Sequence, residues 1–314
     1  MDDRQHEVCK NNRIKTIAAA GETDINHESR ENVGDEMQRW PNNICRRLST
    51  ASLLTNARLL LARFPGGRVD LSQDQQTGIA TVRLDRPDKK NAISGQILLD
   101  LEAVADALSE WSGGKGLLIH GSGHFFCSGG DLAMSKGTST YEEGLLLAQF
   151  AQHVFTKLRS LPLVSAAFVE GAALGGGAEL ATAACDWRLL APTAKLGFVH
   201  VRMGLSPGWG GTAALSRLVG PSRALELITS GRLVACQEAI AVGLVTDEVD
   251  DLEAATRWLQ ARTAAPAEVV RACKEAATGA RDEAELHAKL WAGEAKLEAL
   301  RRRVKHLAPK AQKD

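Results

Sequence analysis

The sequence predicts an α/β fold followed by a helical C-terminal region, and two observations lead to this fold class. Short apolar runs bounded by glycine or proline recur between residues 78 and 250, and segments with helical spacing separate them. Strands that alternate with helices are typical of α/β cores. After residue 250 no strand pattern is found, and segments rich in Ala, Leu, Glu, Lys and Arg favour helices.

The first predicted elements are a strand and a helix. Ala80, Val82 and Leu84 alternate with polar residues, which is the pattern of a half-buried strand. Ser94 suits the N-cap of a helix, because a serine side chain can accept a hydrogen bond from the first turn. Apolar residues follow it at steps of four and three, as one face of a helix requires. These apolar positions are Ile97, Leu101, Val104, Leu108 and Trp111.

The later elements continue the alternation. Residues 116–121 and 163–169 are apolar runs that predict buried strands, and residues 141–161 between them have helical spacing. Two further short strands are predicted at residues 187–190 and 244–249. Helices are then predicted over residues 251–264, 266–278 and 282–306.

Charge and cysteine content exclude several classes of function. The 38 basic residues balance 38 acidic ones, so a nucleic-acid partner is not expected. The six cysteines form neither a CxxC pair nor a metal-ligand spacing, which indicates reduced thiols in a cytosolic protein and no bound metal. The longest apolar region, residues 164–184, is interrupted by Glu170 and Glu179 and holds four glycines, so no membrane span is expected.

Residues 1–63 are expected to form a disordered leader or a targeting-like segment outside the core. Residues 1–36 mix both charge signs without a sustained apolar period. Residues 37–69 contain arginines but no Asp or Glu, a composition that resembles a mitochondrial transit peptide if translation starts at Met37. The interpretation that we favour for the leucine-rich part is an amphipathic helix beside the folded domain. Its apolar side would carry Leu53, Leu54, Leu60 and Leu61.

Two glycine-rich segments each follow a predicted strand and precede a predicted helix. They are GSGHFFCSGGDL at residues 121–132 and EGAALGGGAELA at residues 170–181. Glycine lets backbone N–H groups approach a ligand, and a helix N-terminus adds unpaired donors and a positive dipole end. Either segment alone is a weak signal for an oxyanion site, because glycine-rich turns are common. Cys127 in the first segment is interpreted as a small buried thiol, since no orienting acid accompanies it.

The ordered combination of motifs is far more specific than either segment. FCSGGDL, then EGAALGGGAEL and ACDWRL, resemble the enoyl-CoA hydratase/isomerase (crotonase) superfamily, and the likeness extends over roughly residues 66–307. Supporting motifs are DRPDKKNAIS, KLGFVHVRMGLSPGWGGTAAL and AIAVGLVTDEV, at residues 85–94, 195–215 and 239–249. The resemblance implies a spiral of β-β-α units over residues 64–250 and a helical region over residues 251–314 that mediates homotrimers, often paired into hexamers. It also implies an acyl-CoA thioester substrate and no separate cofactor, because coenzyme A is part of the substrate.

The resemblance implies that four residues of this chain occupy the catalytic positions of the superfamily. Backbone N–H groups at the positions of Gly130 and Gly176 bind the thioester oxygen in the family while an enolate develops. Glu179 matches the first of two carboxylates that hydratases use to handle water. The second should lie five residues after Lys195, where this chain has His200. Neighbouring residues expected to bind substrate are Ala92, Ser128, Asp131, Leu132, Gly175 and Trp209.

His200 argues against plain hydration, because the water molecule loses an acceptor and an acid/base partner. FVHVRMGLSPGWGG, together with FPGGRVDL at residues 64–71, resembles superfamily members that decarboxylate ethylmalonyl-CoA and methylmalonyl-CoA. Loss of CO2 leaves an enolate directly, so oxyanion stabilisation is the main electrostatic task. We therefore expect a decarboxylase that clears carboxylated by-products, with His200 and Glu179 on the carboxylate side. The alternatives are hydration or isomerisation by Glu179 alone, and a catalytically silent or RNA-binding scaffold.

Overall fold

The structure is a computed structural model that describes residues 50–301. The expectations for residues 1–49 and 302–314 lie outside the described residues. Strands β1 to β9 are Arg68–Asp74, Ile79–Asp85, Gly116–Gly121, Val164–Val169, Ala172–Leu174, Trp187–Leu190, Lys195–Gly197, Val234–Ala235 and Asp247–Glu248. Helices α1 to α12 are Thr50–Leu61, Gly95–Ser109, Leu132–Gly137, Tyr141–Arg159, Gly176–Ala183, Gly211–Val219, Pro221–Ser230, Cys236–Ala241, Leu252–Arg262, Ala267–Thr278, Glu283–Trp291 and Glu294–Arg301.

A six-stranded sheet in the order β1-β2-β3-β4-β6-β9 forms the centre of the fold. The β1–β2 pair is antiparallel and every other neighbouring pair is parallel. Val82 and Leu84 are buried while Arg83 between them is exposed, as the alternation in β2 predicts. Because β2, β3 and β4 run parallel, the segments that follow them lie at one edge of the sheet, where open α/β folds bind ligands.

A second sheet has three strands in the order β5-β7-β8, and its strand β5 follows β4 directly in the chain. Its β5–β7 pair is parallel and its β7–β8 pair is antiparallel. The strand β5 leads through a single glycine into α5, and β7 leads into a 3₁₀ turn at Val199–Met203. The small sheet therefore presents the second glycine-rich segment and His200 on the same side of the molecule.

Helix α2 begins as the sequence predicts. Ser94 is its N-cap, and the Ser94 hydroxyl accepts a hydrogen bond from the Ile97 N–H at 3.1 Å. Four of the five apolar positions in the predicted stripe are fully or almost fully buried, and Trp111 beyond the helix end is buried as well. The side-chain cap and the buried stripe together fix the start and the orientation of this helix.

Two predicted elements differ from the structure because local hydrogen bonds interrupt them. The strand predicted over residues 244–249 is reduced to β9, because the N–H groups of Leu244 and Val245 both donate to the Ala239 carbonyl and close the end of α8. The helix predicted over residues 282–306 divides into α11 and α12 around Gly293 within the described residues. The Gly293 N–H donates to the Leu290 carbonyl in the turn between them.

Helix α1 corrects the predicted boundary at residue 64. It packs on α2 and α4, and it buries Ala57 and Leu61 almost completely. The Arg58 guanidinium donates to both carboxylate oxygens of Glu102, at 2.9 and 2.7 Å. The folded region therefore includes residues 50–61, because these apolar side chains complete the core, and an amphipathic helix describes this segment.

Candidate active site

The two glycine-rich segments meet at the carboxyl ends of neighbouring parallel strands. Residues 122–131 follow β3, and residues 170–175 follow β4. Backbone hydrogen bonds join them: the Cys127 N–H donates to Ala172 at 3.1 Å, and the Leu174 N–H donates to Cys127 at 2.9 Å. This short parallel bridge brings two parts of the chain together although they are far apart in sequence.

Each segment contains a glycine whose backbone N–H has no acceptor among the described residues. Within residues 50–301, no group accepts a hydrogen bond from the N–H of Gly130 or of Gly176. Gly176 is the first residue of α5, so its N–H belongs to the unpaired donors at the positive end of the helix. Gly175 before it has φ +52°, a conformation that favours glycine, and its own N–H donates to Gly197 at 2.8 Å.

The Trp209 indole lies beside both glycines. A methyl group added to Gly176 would come within 2.3 Å of the indole ring, and one added to Gly130 would come within 3.3 Å. The ring packs edge-on against Phe155, with centroids 6.0 Å apart. Gln152 holds the adjoining loop, because its side-chain amide donates to the Gly208 carbonyl at 2.6 Å. Trp209 is therefore a fixed wall next to the two unpaired amides.

Glu179 and His200 form a hydrogen-bonded pair next to these amides. Glu179 lies in the first turn of α5 and is only 1% exposed. Its Oε1 accepts hydrogen bonds from the N–H groups of Trp209 and Gly211, at 2.8 and 3.0 Å. Its Oε2 lies 2.9 Å from Nε2 of His200. Both carboxylate oxygens of Glu179 are thus engaged.

His200 keeps one ring nitrogen free. It lies in the 3₁₀ turn at Val199–Met203, and its side chain is 12% exposed. Its Nδ1 atom is buried and has no hydrogen-bond partner within the part of the chain that the structure describes. A buried polar atom without a partner costs free energy, so a group that hydrogen-bonds to this nitrogen would be stabilising.

The other residues predicted to bind substrate fall into different settings. A methyl group on Gly175 would lie 3.8 Å from Nε2 of His200, so this glycine borders the pair. Ala92 is buried in the loop after β2, and Leu132 is exposed at the start of α3. The Ser128 hydroxyl donates to the Lys89 carbonyl at 3.2 Å and thus joins two loops.

Asp131 is engaged within the protein. It caps α3, because its Oδ1 accepts a hydrogen bond from the Ala133 N–H at 2.7 Å, and its Oδ2 is paired with the Arg86 guanidinium. Burial acts to raise the pKa of Asp131, but the hydrogen bonds from Arg86 and Ala133 outweigh it and hold this pKa below its usual value. Sequence reasoning missed Arg86. Its presence in the motif at residues 85–94 gave no sign of this partner.

Within the described residues, the Cys127 thiol is buried and no metal-binding cluster of side chains is found. Burial raises the pKa of the Cys127 thiol to about 12, so the reactive thiolate does not form near neutral pH. Among residues 50–301, no cluster of three or more His, Cys, Asp or Glu side chains could hold a metal ion. Nor does any helix of this range combine the length and apolar character needed to cross a membrane.

The chain belongs to the enoyl-CoA hydratase/isomerase family, whose sequence model matches residues 74–302. Its fold resembles the enoyl-CoA hydratase of Thermoplasma volcanium, with a TM-score of 0.68 and 26% identity over 75% of this chain and 96% of that one. The fold also resembles the enoyl-CoA hydratase of Bacillus anthracis, with a TM-score of 0.65 and 28% identity. That match covers 76% of this chain and 96% of the other. The predicted family and fold class are confirmed.

Two curated relatives share a more specific name. The ethylmalonyl-CoA decarboxylase of Mus musculus is 40% identical over 262 residues, which cover 79% of this chain and 81% of the relative. The ethylmalonyl-CoA decarboxylase of Gallus gallus is 40% identical over 260 residues, which cover 78% of this chain and 87% of the relative. The similarity therefore spans most of both chains and includes the candidate site.

Proposed function

We propose that this chain decarboxylates ethylmalonyl-CoA to butyryl-CoA, and methylmalonyl-CoA to propionyl-CoA. The named relatives support the substrate class. The observation that carries the proposal is the His200–Glu179 pair beside two unpaired glycine amides. A hydratase of this family would carry a carboxylate at position 200, whereas an imidazole can contact the carboxylate of a malonyl-type substrate. The reaction would clear carboxylated by-products of acyl-CoA carboxylases.

The reaction begins with cleavage of the bond between C2 and the carboxylate carbon. The electron pair of that bond moves toward the thioester carbonyl, so CO2 leaves and an enolate oxygen develops. The N–H groups of Gly130 and Gly176 donate to this oxygen, and one such donor typically lowers the barrier by about 3–4 kcal/mol. No base has to start the reaction, because the substrate carboxyl group is already ionised at neutral pH.

The enolate carbon then takes up one proton. Glu179 accepts three hydrogen bonds through its two oxygens, so we assign it the task of orienting the His200 ring. His200 has an unpartnered nitrogen, and we assign it contact with the departing carboxylate and delivery of the proton. Solvent restores the proton to His200 after each turnover.

We further propose that the chain assembles as homotrimers or hexamers and acts in the cytosol. Three large apolar side chains on α11 and α12 are 42–63% exposed, which supports an interface there. They are Trp291, Leu297 and Leu300. Light scattering of the purified chain should give the mass of three or six copies, and a monomer at micromolar concentration would contradict the assembly proposal.

A comparison of two substrates tests the proposed reaction. Purified protein is incubated separately with ethylmalonyl-CoA and with crotonyl-CoA, and the thioester products and CO2 are quantified. We expect butyryl-CoA and CO2 in equal amounts, with hydration of crotonyl-CoA slower by about two orders of magnitude, the scale of a lost acid/base partner. Rapid hydration without CO2 release would contradict the proposal and favour the hydratase alternative.

A further inference from the structure

We infer that the Arg86–Asp131 ion pair positions the Gly130 amide for catalysis and that neither side chain binds the substrate. The inference rests on the proposed function, since it assigns Gly130 an active role. A backbone donor has no side chain of its own to place it, so neighbouring groups must set the position of its N–H. The structure shows which groups surround this peptide.

The backbone of Ile93 holds Gly130 from both sides. The Ile93 N–H donates to the Gly129 carbonyl at 2.8 Å, and the Asp131 N–H donates to the Ile93 carbonyl at 2.9 Å. These two bonds fix the peptides before and after Gly130 and leave its own N–H unpaired. The position of Gly130 therefore depends on the loop that follows β2.

Arg86 ties that loop to Asp131. Its guanidinium pairs with Oδ2 of Asp131 and also donates to the Ala92 carbonyl at 3.3 Å, one residue before Ile93. The backbone N–H of Arg86 donates to the Asn91 side chain at 2.9 Å, and Asn91 is fully buried. The Arg86 side chain thus connects Asp131, which follows Gly130, to the loop of Ala92 and Ile93 that holds Gly130.

The FPGG motif at residues 64–67 covers this ion pair. A methyl group on Gly66 would come within 3.1 Å of the Arg86 side chain, and one on Gly67 within 2.9 Å. The Ser94 hydroxyl donates to the Gly66 carbonyl at 2.5 Å and holds the motif in place. Arg86 and Asp131 are consequently only 13% and 14% exposed, which limits solvent screening of the pair.

Both carboxylate oxygens of Asp131 have a partner within the protein. Its Oδ1 accepts from the Ala133 N–H and its Oδ2 pairs with Arg86, so the carboxylate is held from the helix side and from the loop side. Oxyanion donors act through their fixed positions, and a displacement of about 1 Å can cost a hundredfold in rate. The arrangement fits a group that positions Gly130.

The test compares two ion-pair variants of the full chain. Arg86→Gln removes the cation beside Asp131, and Glu102→Gln removes the carboxylate of the Arg58–Glu102 pair, which lies between α1 and α2. Arg86→Lys is the conservative variant. For each protein, kcat and KM for ethylmalonyl-CoA and the Tm are measured. Hydrogen–deuterium exchange of the backbone over residues 127–134 supplies a readout that needs no substrate.

We expect Arg86→Gln to lower kcat by about ten- to a hundredfold, with KM changed by less than about threefold. Exchange over residues 127–134 should accelerate in this variant, and Arg86→Lys should recover part of both losses. Glu102→Gln should lower Tm while kcat and exchange over residues 127–134 stay at the wild-type values.

Three results bear on the inference differently. Unchanged kcat and unchanged exchange in Arg86→Gln would overturn it. Equal losses of kcat in Arg86→Gln and Glu102→Gln at equal loss of Tm would also overturn it, because the effect would then be general destabilisation. If the wild type fails to decarboxylate but exchange accelerates only in Arg86→Gln, the proposed function fails, while the role of the pair in holding Gly130 is supported.

Discussion

The two glycine-rich turns present equivalent amides but are held in place by different means. Gly176 starts a helix, and the Trp209 ring is pressed against it, so a methyl group there would come within 2.3 Å of the indole. Gly130 lies in irregular chain, where Ile93 and Asp131 hold its neighbours and the nearest indole atom is 3.3 Å from an added methyl group.

This difference shows that a backbone N–H proposed to donate to the oxyanion can be held in two ways, by a helix start at Gly176 and by loop contacts at Gly130. The turn at Gly176 also carries Glu179 three residues later, so a shift there moves the amide and the side-chain pair together. The turn at Gly130 carries only an amide, and its loop partners fix it. We therefore expect the turn at Gly176 to reject any side chain. The turn at Gly130 should accept a small side chain that leaves the N–H in place.

The largest effect is expected from Gly176→Ala. The added methyl group would come within 2.3 Å of the Trp209 ring, so the ring or the start of α5 must shift, and we expect the oxyanion to lose a well-placed donor. We expect kcat for ethylmalonyl-CoA to fall by about two to three orders of magnitude. Gly144→Ala is the matched control, since its methyl group meets no atom within 4 Å, and it should retain wild-type kcat. Near-normal kcat in Gly176→Ala would show that the two turns do not differ in this way.

Gly130 should separate the backbone from the side chain. Gly130→Pro removes the N–H, and we expect about a hundredfold loss of kcat. Gly130→Ser keeps the N–H and needs only a small adjustment of Trp209, so its kcat should stay within about fivefold of the wild type. Circular dichroism would establish that both variants fold. A folded Gly130→Pro protein with normal kcat would exclude this amide from the mechanism.

His200→Ala tests the side-chain half of the site. Because water can replace a missing proton donor, we expect kcat to fall by up to about a hundredfold, the low end of acid–base effects. The affinity for butyryl-CoA should change little, since this product lacks the carboxylate that His200 contacts. Binding is measured by calorimetry. Parallel losses of kcat and of butyryl-CoA affinity would instead make His200 a structural residue.

Leu61→Ala should leave kcat unchanged, because this residue of α1 lies in the core and outside both turns. Leu61 is 1% exposed, so we expect the free energy of unfolding to fall by about 2–4 kcal/mol. Leu59→Ala on the same helix is the control, because Leu59 is 68% exposed and its loss should cost little. Urea titration measures both variants. Equal stability of the two would show that α1 does not contribute to the core.

Local sequence patterns predicted the elements whose stability is local. The cap at Ser94 and the alternation in β2 depend on residues within a few positions of one another, and both are found in the structure. The segment at residues 244–249 misled the prediction, because its apolar run packs as the closing turn of α8. The periodicity of apolar residues does not predict which carbonyl will accept a hydrogen bond from a given backbone N–H.

The site could be predicted only as far as the resemblance extends. It named Gly130, Gly176, Glu179 and His200 as members of one site, which spacing along the chain could not do. The ion pair between Arg86 and Asp131 was missed, because it depends on how the loops after β2 and β3 come together. Asp131 was predicted to bind substrate, and this stays a prediction; its partners within the protein are Arg86 and Ala133.

The most direct test of the central claim is the reaction ratio of His200→Glu. This variant places a carboxylate where hydratases of the family have their second one. The measurement is the rate of butyryl-CoA formation from ethylmalonyl-CoA divided by the rate of crotonyl-CoA hydration, in the variant and in the wild type. If His200 selects decarboxylation, this ratio should fall by about a hundredfold or more in the variant, as expected for exchange of an acid–base group. An unchanged ratio would contradict the claim that the imidazole beside Glu179 determines the reaction.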